Sequence, residues 1–277
     1  MTASDRAPFA DLGSLTKSVV WPVMPEVGQA LIQTLNDEQA DSFVICRIIK
    51  KDPTLTANLL RMANSALFGL SGQVDTLERA VKVVGLAKVR ARALSLCMAQ
   101  TSPFPPGMDR MAFWRYSLRC AGYAQWLAEL CEVDDQEAWL CGMLLRLGEL
   151  NVLQARPQLL QALEIPDMTS AERWQLQRRL VGFDEGEVTA ELAQHWDLPQ
   201  ALVRGLRHCA QPLAAAQLSR LAAVLHLAAR LADKDSVTCQ SAADLPSLLL
   251  QTLALDGITL LATQPDAGAV ADVSMFL

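Results

Sequence analysis

The chain has 277 residues, of which 51% are hydrophobic and 19% are charged, and its formal net charge is −6 at pH 7. This composition excludes a disordered chain, and the length allows one or two domains with a sizeable apolar core. The negative charge argues against general attraction to nucleic acid, and seven cysteines without a C-x-x-C pair argue against a disulfide framework.

Compartment and membrane association can also be predicted from the sequence. An odd number of cysteines within apolar helical patterns is typical of buried thiols in a reducing compartment. The N-terminal segment Met1–Gly13 has no basic region followed by an apolar core. The richest apolar stretch, 213–232, is interrupted by Arg220, His226 and Arg230. We therefore expect a cytoplasmic protein with no membrane partner.

Apolar residues recur at spacings of three and four through almost the whole chain, which predicts an all-α protein. After an extended entry at 21–25, the first half is predicted to form helices near 26–36, 41–51, 53–67, 76–84 and 86–100. Asp75 and Glu78 are predicted to form a capping box, and Gly85 to separate the last two of these helices.

The helix starting at Pro53 has the most informative sequence. Asp52 can cap it through its carboxylate, Pro53 suits the first helical position, and Gly69 can adopt the left-handed stop. An apolar stripe is formed by Leu55, Leu59, Met62 and Ala66. Asn64 and Ser65 interrupt this pattern, and two interpretations stay open: an internal hydrogen bond or a surface for a partner.

Basic residues cluster around Gly85, at Lys82, Lys88, Arg90 and Arg92. They could meet phosphate or an acidic partner. No aromatic platform for bases accompanies them, which favours a solvated helix face instead. We expect no specific nucleic-acid partner.

Three prolines within Pro103–Pro106 forbid a continuing helix and predict a stiff connector. The predicted domains are an N-terminal helical lobe, 1–103, and a C-terminal helical lobe, 104–277. Helices of the second lobe are predicted near 109–131, 135–147, 150–163, 170–181, 185–196, 199–209, 214–234 and 241–255. Capping boxes are predicted at Thr169 with Glu172 and at Asp184 with Glu187.

Several motifs occur in an order that resembles a known family. They are Met24-Pro25, the run from Ile49 through Ala66, Ala80 through Gly85, Phe113-Trp114-Arg115, Gly142 through Leu145, and Trp196 through Pro199. Over about residues 20–230 the sequence resembles the HDOD family of bacterial signalling proteins. This resemblance implies two helical lobes, of which the second is related to HD-type metal-dependent phosphohydrolases.

The resemblance also implies positions for His and Asp metal ligands, and this sequence departs from them. In the hydrolases those ligands hold a divalent metal that polarises water and orients a phosphate ester. Here the positions are occupied by Tyr116, Arg146, Leu147, Glu185 and Ala229, and a His-His pair is reduced to His208-Cys209. An arginine at a ligand position repels a cation. We therefore expect no catalytic residue, metal or cofactor; zinc held by His208, His226 and Glu185 is the remaining metal alternative.

Two functional hypotheses follow. The first is a non-catalytic HDOD module that binds a signalling protein in bacterial signal transduction, through a surface formed by Arg61, Asn64 and Ser65. The second is a sensor that binds a nucleotide or other anionic small molecule in the former active-site cleft. Its candidate residues are Arg146, Glu185, Arg204 and His208, with Arg146 as the counter-charge. Residual metal-dependent phosphodiesterase activity is a third possibility, and it requires bound metal.

Overall fold

The computed structural model describes residues 12–37, 40–65, 73–165, 168–233 and 244–270, which contain helices and no strand. The all-α prediction is confirmed. The helices are α1 Leu12–Ser18, α2 Glu26–Gln33, α3 Ser42–Ile49, α4 Pro53–Ala63, α5 Leu77–Val84, α6 Leu86–Thr101, α7 Arg110–Leu130, α8 Asp135–Leu144, α9 Leu147–Ala155, α10 Leu160–Leu163, α11 Ser170–Val181, α12 Glu185–His195, α13 Gln200–His208, α14 Arg220–Ala232, α15 Ser247–Thr252, α16 Gly257–Thr263 and α17 Ala267–Val270. Within the described ranges, none of them has the length and apolar character of a membrane span.

Most of the predicted caps form. The Asp52 carboxylate accepts hydrogen bonds from the first backbone N–H groups of α4. The capping boxes that start at Thr169 and Asp184 are both present. The box predicted for Asp75 and Glu78 is wrong, because the Thr76 hydroxyl caps α5 instead. The predicted stop at Gly69 and the stripe position Ala66 lie outside the described residues.

Several predicted helix boundaries in the second half of the chain differ from the observed ones by three to six residues. The predicted helix 135–147 ends early, at Leu144, and α9 begins at Leu147. The predicted helix 150–163 is divided at Pro157, which starts a short 3₁₀ turn. The helix predicted at 214–234 begins only at Arg220, where Ser219 caps it. The break at Arg146 matters for the site, because it places that side chain between two helices.

One apolar cluster joins most of the helices and includes residues on both sides of the proline-rich connector. The long helix α7 packs against α8 and α14, α12 packs between α9 and α13, and α6 contacts both α2 and α8. The six cysteines in the described residues are buried free thiols, as predicted. The domain boundary at residue 103 stays a prediction.

The N-terminal segment is held against the second half of the chain. Leu15 and Val19 of the segment pack against valines of α9, α11 and α12. The indole N–H of Trp196 donates a hydrogen bond to the carbonyl of Pro22 at 2.8 Å. Trp21 stacks on His195, with ring centroids 6.1 Å apart. The chain around α2 is therefore anchored to the C-terminal end of α12.

The basic cluster is not wholly a solvated face. Arg90 donates to the backbone carbonyl of Thr34 at 2.7 Å. Arg92 is buried, with its guanidinium 3.2 Å from the ring centroid of Trp139. The solvated-face interpretation is therefore wrong for Arg92, whose charge faces an indole ring instead of water.

Asn64 forms the internal hydrogen bonds that one interpretation of its position predicts. Its amide donates to the carbonyls of Leu60 at 2.8 Å and Val74 at 2.7 Å. Its side-chain oxygen accepts from the Val74 N–H at 2.7 Å. Asn64 thus ties the end of α4 to the chain leading into α5.

Asn64→Ala should lower the free energy of unfolding by about 1–3 kcal/mol, because the carbonyl and N–H of Val74 lose this partner and the Leu60 carbonyl keeps only its helical hydrogen bond. Urea denaturation measures this loss. Arg61→Ala on the exposed side of the same helix is the matched control and should change stability by less than about 0.5 kcal/mol. Equal losses in the two variants would contradict a structural role for Asn64.

Candidate functional site

Three of the replaced ligand positions converge inside the second half of the chain. Tyr116 lies on α7, Arg146 in the break between α8 and α9, and Glu185 at the start of α12. The Arg146 guanidinium is 5.6 Å from the centroid of the Tyr116 ring. Arg173 of α11 connects Tyr116 to Glu185, because it donates hydrogen bonds to the Tyr116 hydroxyl at 3.0 Å and to the Glu185 carboxylate at 2.9 Å.

The centre of the site is a buried ion pair between Arg173 and Glu185. Nε and Nη2 of Arg173 donate to the two carboxylate oxygens of Glu185, each at 2.9 Å, and Glu185 is fully buried. Trp174 and Gln177 donate to the same carboxylate at 2.9 and 3.2 Å. Burial alone would raise the pKa of Glu185, but the charge and hydrogen bonds of Arg173 outweigh it and hold the pKa below its usual value. Glu185 is therefore an anion.

A second buried carboxyl group, Glu149 of α9, borders this pair. It accepts a hydrogen bond from Arg146 at 2.8 Å and another from Gln177 at 2.9 Å. Arg146 also donates to Glu164 at 2.7 Å. Burial raises the pKa of Glu149 to about 7, and the nearby Glu185 anion acts in the same direction. When Glu149 is protonated, the guanidinium groups of Arg146 and Arg173 are balanced by the carboxylates of Glu164 and Glu185.

Close packing of α12 against α9 holds these groups in place. The Thr189 hydroxyl donates to the carbonyl of Leu145 at 2.8 Å and accepts from the Gly148 N–H at 2.7 Å. A Cβ atom at Gly148 would collide with the Glu185 carbonyl oxygen. The broken α8–α9 junction is thus bonded directly to the helix that begins with Glu185.

The remaining predicted site residues do not join this network. Leu147 and Ala229 are buried among apolar residues. Arg204 is exposed and His208 is half-buried on α13, and within the described residues neither is hydrogen-bonded or ion-paired to the network. Of the predicted cleft, the structure therefore brings together Arg146 and Glu185 only.

Sequence reasoning missed four members of the network: Glu149, Arg173, Trp174 and Gln177. One signal was available at Glu149, a carboxyl group in the middle of the apolar run of α9. The polar residues of α11 gave no comparable signal, because arginine and glutamine are also ordinary surface residues of helices.

The residues at these positions do not fit a divalent metal. Both oxygens of Glu185 are occupied by hydrogen bonds, and a guanidinium group lies on it where a cation would have to bind. The described residues contain no group of three or more His, Cys, Asp or Glu side chains that could hold a metal ion. His226 is instead hydrogen-bonded through Nδ1 to the carbonyl of Cys209 at 2.8 Å, and its ring lies 5.2 Å from that of Trp174. The zinc alternative gains no support.

Removing the Arg173 guanidinium should destabilise the fold strongly. Arg173→Met leaves Glu185 as an uncompensated buried anion, and we expect a loss of about 3–5 kcal/mol in unfolding free energy. The double variant Arg173→Met/Glu185→Gln should recover at least about 1 kcal/mol of it, since the stranded charge is removed. Urea denaturation of both variants, with exposed Arg204→Met as control, measures the coupling. A double variant no more stable than the single one would show that the pair is not coupled.

Glu149→Gln should change how stability depends on pH. In the wild type the folded-state pKa of Glu149 is about 7, above its ordinary value of 4.5, so folding takes up a proton between these pH values. Wild-type stability therefore falls as pH rises through this range, and the glutamine variant lacks this loss. From pH 5 to pH 8 the variant should gain about 1–3 kcal/mol relative to wild type in urea denaturation. Exposed Glu129→Gln is the control; parallel pH profiles for wild type and Glu149→Gln would contradict the assignment.

Known proteins with similar sequences and structures agree with this fold. A Treponema pallidum (strain Nichols) protein named as uncharacterized is 29% identical over 168 residues, which is 59% of this chain and 32% of that protein. This chain thus spans about a third of that relative's length. A Shewanella amazonensis SB2B structure named as a candidate phosphohydrolase is 27% identical, with a TM-score of 0.71 over 95% of this chain and 92% of that one.

A Marinobacter aquaeolei VT8 structure, named as a candidate signal transduction protein, has a TM-score of 0.72 over 96% of this chain and 61% of that one. At 20% identity its likeness concerns the fold alone. Residues 21–212, which make up more than half of the sequence, match the HDOD domain. This chain therefore belongs to the HDOD family.

Proposed function

We propose that this HDOD chain is a non-catalytic module that acts in bacterial signal transduction by binding another protein. The observation that carries the proposal is the buried Arg173–Glu185 pair, in which Glu185 occupies a position that the family resemblance assigns to a metal ligand. Arginine is a permanent cation that is covalently part of the chain. It stabilises the surrounding carboxyl groups, but it supplies no metal-bound water for ester hydrolysis.

The other groups of the network are poorly suited to catalyse ester hydrolysis in place of a metal-bound water. The Tyr116 hydroxyl is buried, and burial raises the pKa of this group well above its usual value. Glu185 is enclosed and fully hydrogen-bonded, so it has no free oxygen for a substrate proton. A general base must reach the proton that it abstracts. The network supports a structural role, in which it holds α7, α9, α11 and α12 together.

The predicted partner surface is reduced to one available side chain. Asn64 uses its amide within the fold, and the Ser65 hydroxyl is buried with no hydrogen-bond partner among the described residues. Arg61 is exposed near the end of α4. We therefore centre the proposed surface on Arg61. The ion pairs of Arg146 with Glu149 and Glu164 favour this proposal over the sensor hypothesis, which needs Arg146 as the counter-charge of a bound anion.

The test of the proposed function has two arms. In the first, metal content is measured by mass spectrometry on protein purified without chelator, and hydrolysis of bis(p-nitrophenyl) phosphate is followed with added Mn²⁺. We expect substoichiometric metal and no hydrolysis above the blank. Stoichiometric metal together with hydrolysis that a chelator abolishes would overturn the proposal.

The second arm measures partner binding by quantitative co-purification from the source bacterium. Arg61→Glu should reduce recovery of a specific partner at least fivefold, and Arg204→Glu, the same charge change on exposed α13, should leave recovery unchanged. Equal recovery with both variants would remove Arg61 from the binding surface.

A further inference from the structure

A groove of about 550 Å³ lies between α2 and the C-terminal end of α12, away from the charge network. Its floor is apolar and consists of Met24, Ile32 and Trp196, all of them buried. Its rim includes Val23, which is 78% exposed, together with Asn36 and Asp197. The volume is within the range of sites that enclose a small ligand or a few side chains.

The groove is formed where two of the sequence motifs meet. Met24-Pro25 precedes α2, and Trp196-Asp197 follows α12. The hydrogen bond from Trp196 to the carbonyl of Pro22 fixes one wall to the other. The stacking of Trp21 on His195 adds a second link. The walls are therefore set by contacts within the chain, so a ligand would enter a preformed site.

Asp197 gives the groove its charge. Its backbone has φ of 57°, a left-handed conformation that is uncommon for residues other than glycine. Within the described residues its carboxylate takes part in no hydrogen bond or ion pair, and no lysine or arginine lines the groove. The groove thus combines a free anion with carboxamides and an apolar floor. The matching chemistry is a cation attached to an apolar group.

We propose that this groove binds a short segment of a partner protein in which lysine or arginine stands beside a bulky apolar residue. The cation pairs with Asp197, and the apolar side chain packs on Met24 and Trp196 and covers the exposed Val23. Because the segment belongs to a protein partner, the inference rests on the proposed function and specifies the partner's chemistry. The metal and hydrolysis measurements do not involve Asp197, so failure of one proposal is distinguishable from failure of the other.

Fluorescence anisotropy tests the groove with two labelled hexapeptides on the full chain in 0.15 M salt. One peptide alternates leucine with arginine, and the other alternates leucine with glutamate. We expect binding of the arginine peptide only. Asp197→Asn should weaken this binding about fivefold, and asparagine is suitable because it also tolerates left-handed backbone angles. Glu129→Gln makes the same charge change at an exposed site on α7 outside the groove and should alter affinity less than twofold.

Val23→Arg is a second variant. It places a positive charge, which repels the arginine peptide, on the exposed rim, and it should weaken binding of that peptide at least as much as Asp197→Asn does. Three results would overturn the proposal. They are equal binding of both peptides, unchanged affinity in both groove variants, and competition by agmatine at the same concentration as the peptide. The last result would assign the groove to a small organic cation instead.

Discussion

The ion pair between Arg173 and Glu185 is the interaction on which the rest of this fold depends. A charged group inside an apolar helical core is stable only when an opposite charge and hydrogen bonds replace the water it has lost. Glu185 obtains these from Arg173, Trp174 and Gln177, all on α11. The helices α11 and α12 must therefore lie in one relative position. The hydrogen bonds that Glu149 accepts from Arg146 and Gln177 fix the position of α9 relative to α11 in the same way.

The pair also explains how several carboxyl groups can converge inside this fold. Carboxylates that lie close together in an apolar core repel one another. Here two guanidinium groups offset them, and burial raises the pKa of Glu149 to about 7, which favours the neutral form of this carboxyl group more than water does. An arginine is covalently part of the chain, so the positive charge that compensates these carboxyl groups cannot dissociate.

Local features of this fold could be predicted from the sequence, and long-range ones could not. The starts of α11 and α12 were predicted correctly, because their capping boxes involve residues three apart. The break between α8 and α9 is predicted about three residues too late, since its position depends on Thr189, which bonds to the carbonyl of Leu145, 44 residues away. Family resemblance located Arg146 and Glu185, but Arg173, the partner of Glu185, has the sequence context of a surface arginine. Which cation compensates a buried carboxylate is decided by tertiary packing, and a single sequence does not contain that information.

Helix α12 connects the charge network to the proposed groove. Its first residue, Glu185, is fixed by Arg173, and Trp196, just past its last residue, is fixed by the Pro22 carbonyl. Eleven residues at about 1.5 Å each give a helix of about 16 Å that is held at both ends. Side chains on such an element lose little conformational freedom when a partner binds, because that freedom was already lost on folding. This rigidity supports the proposed role in binding, because the buried charge network fixes the helix beside which the distant groove is built.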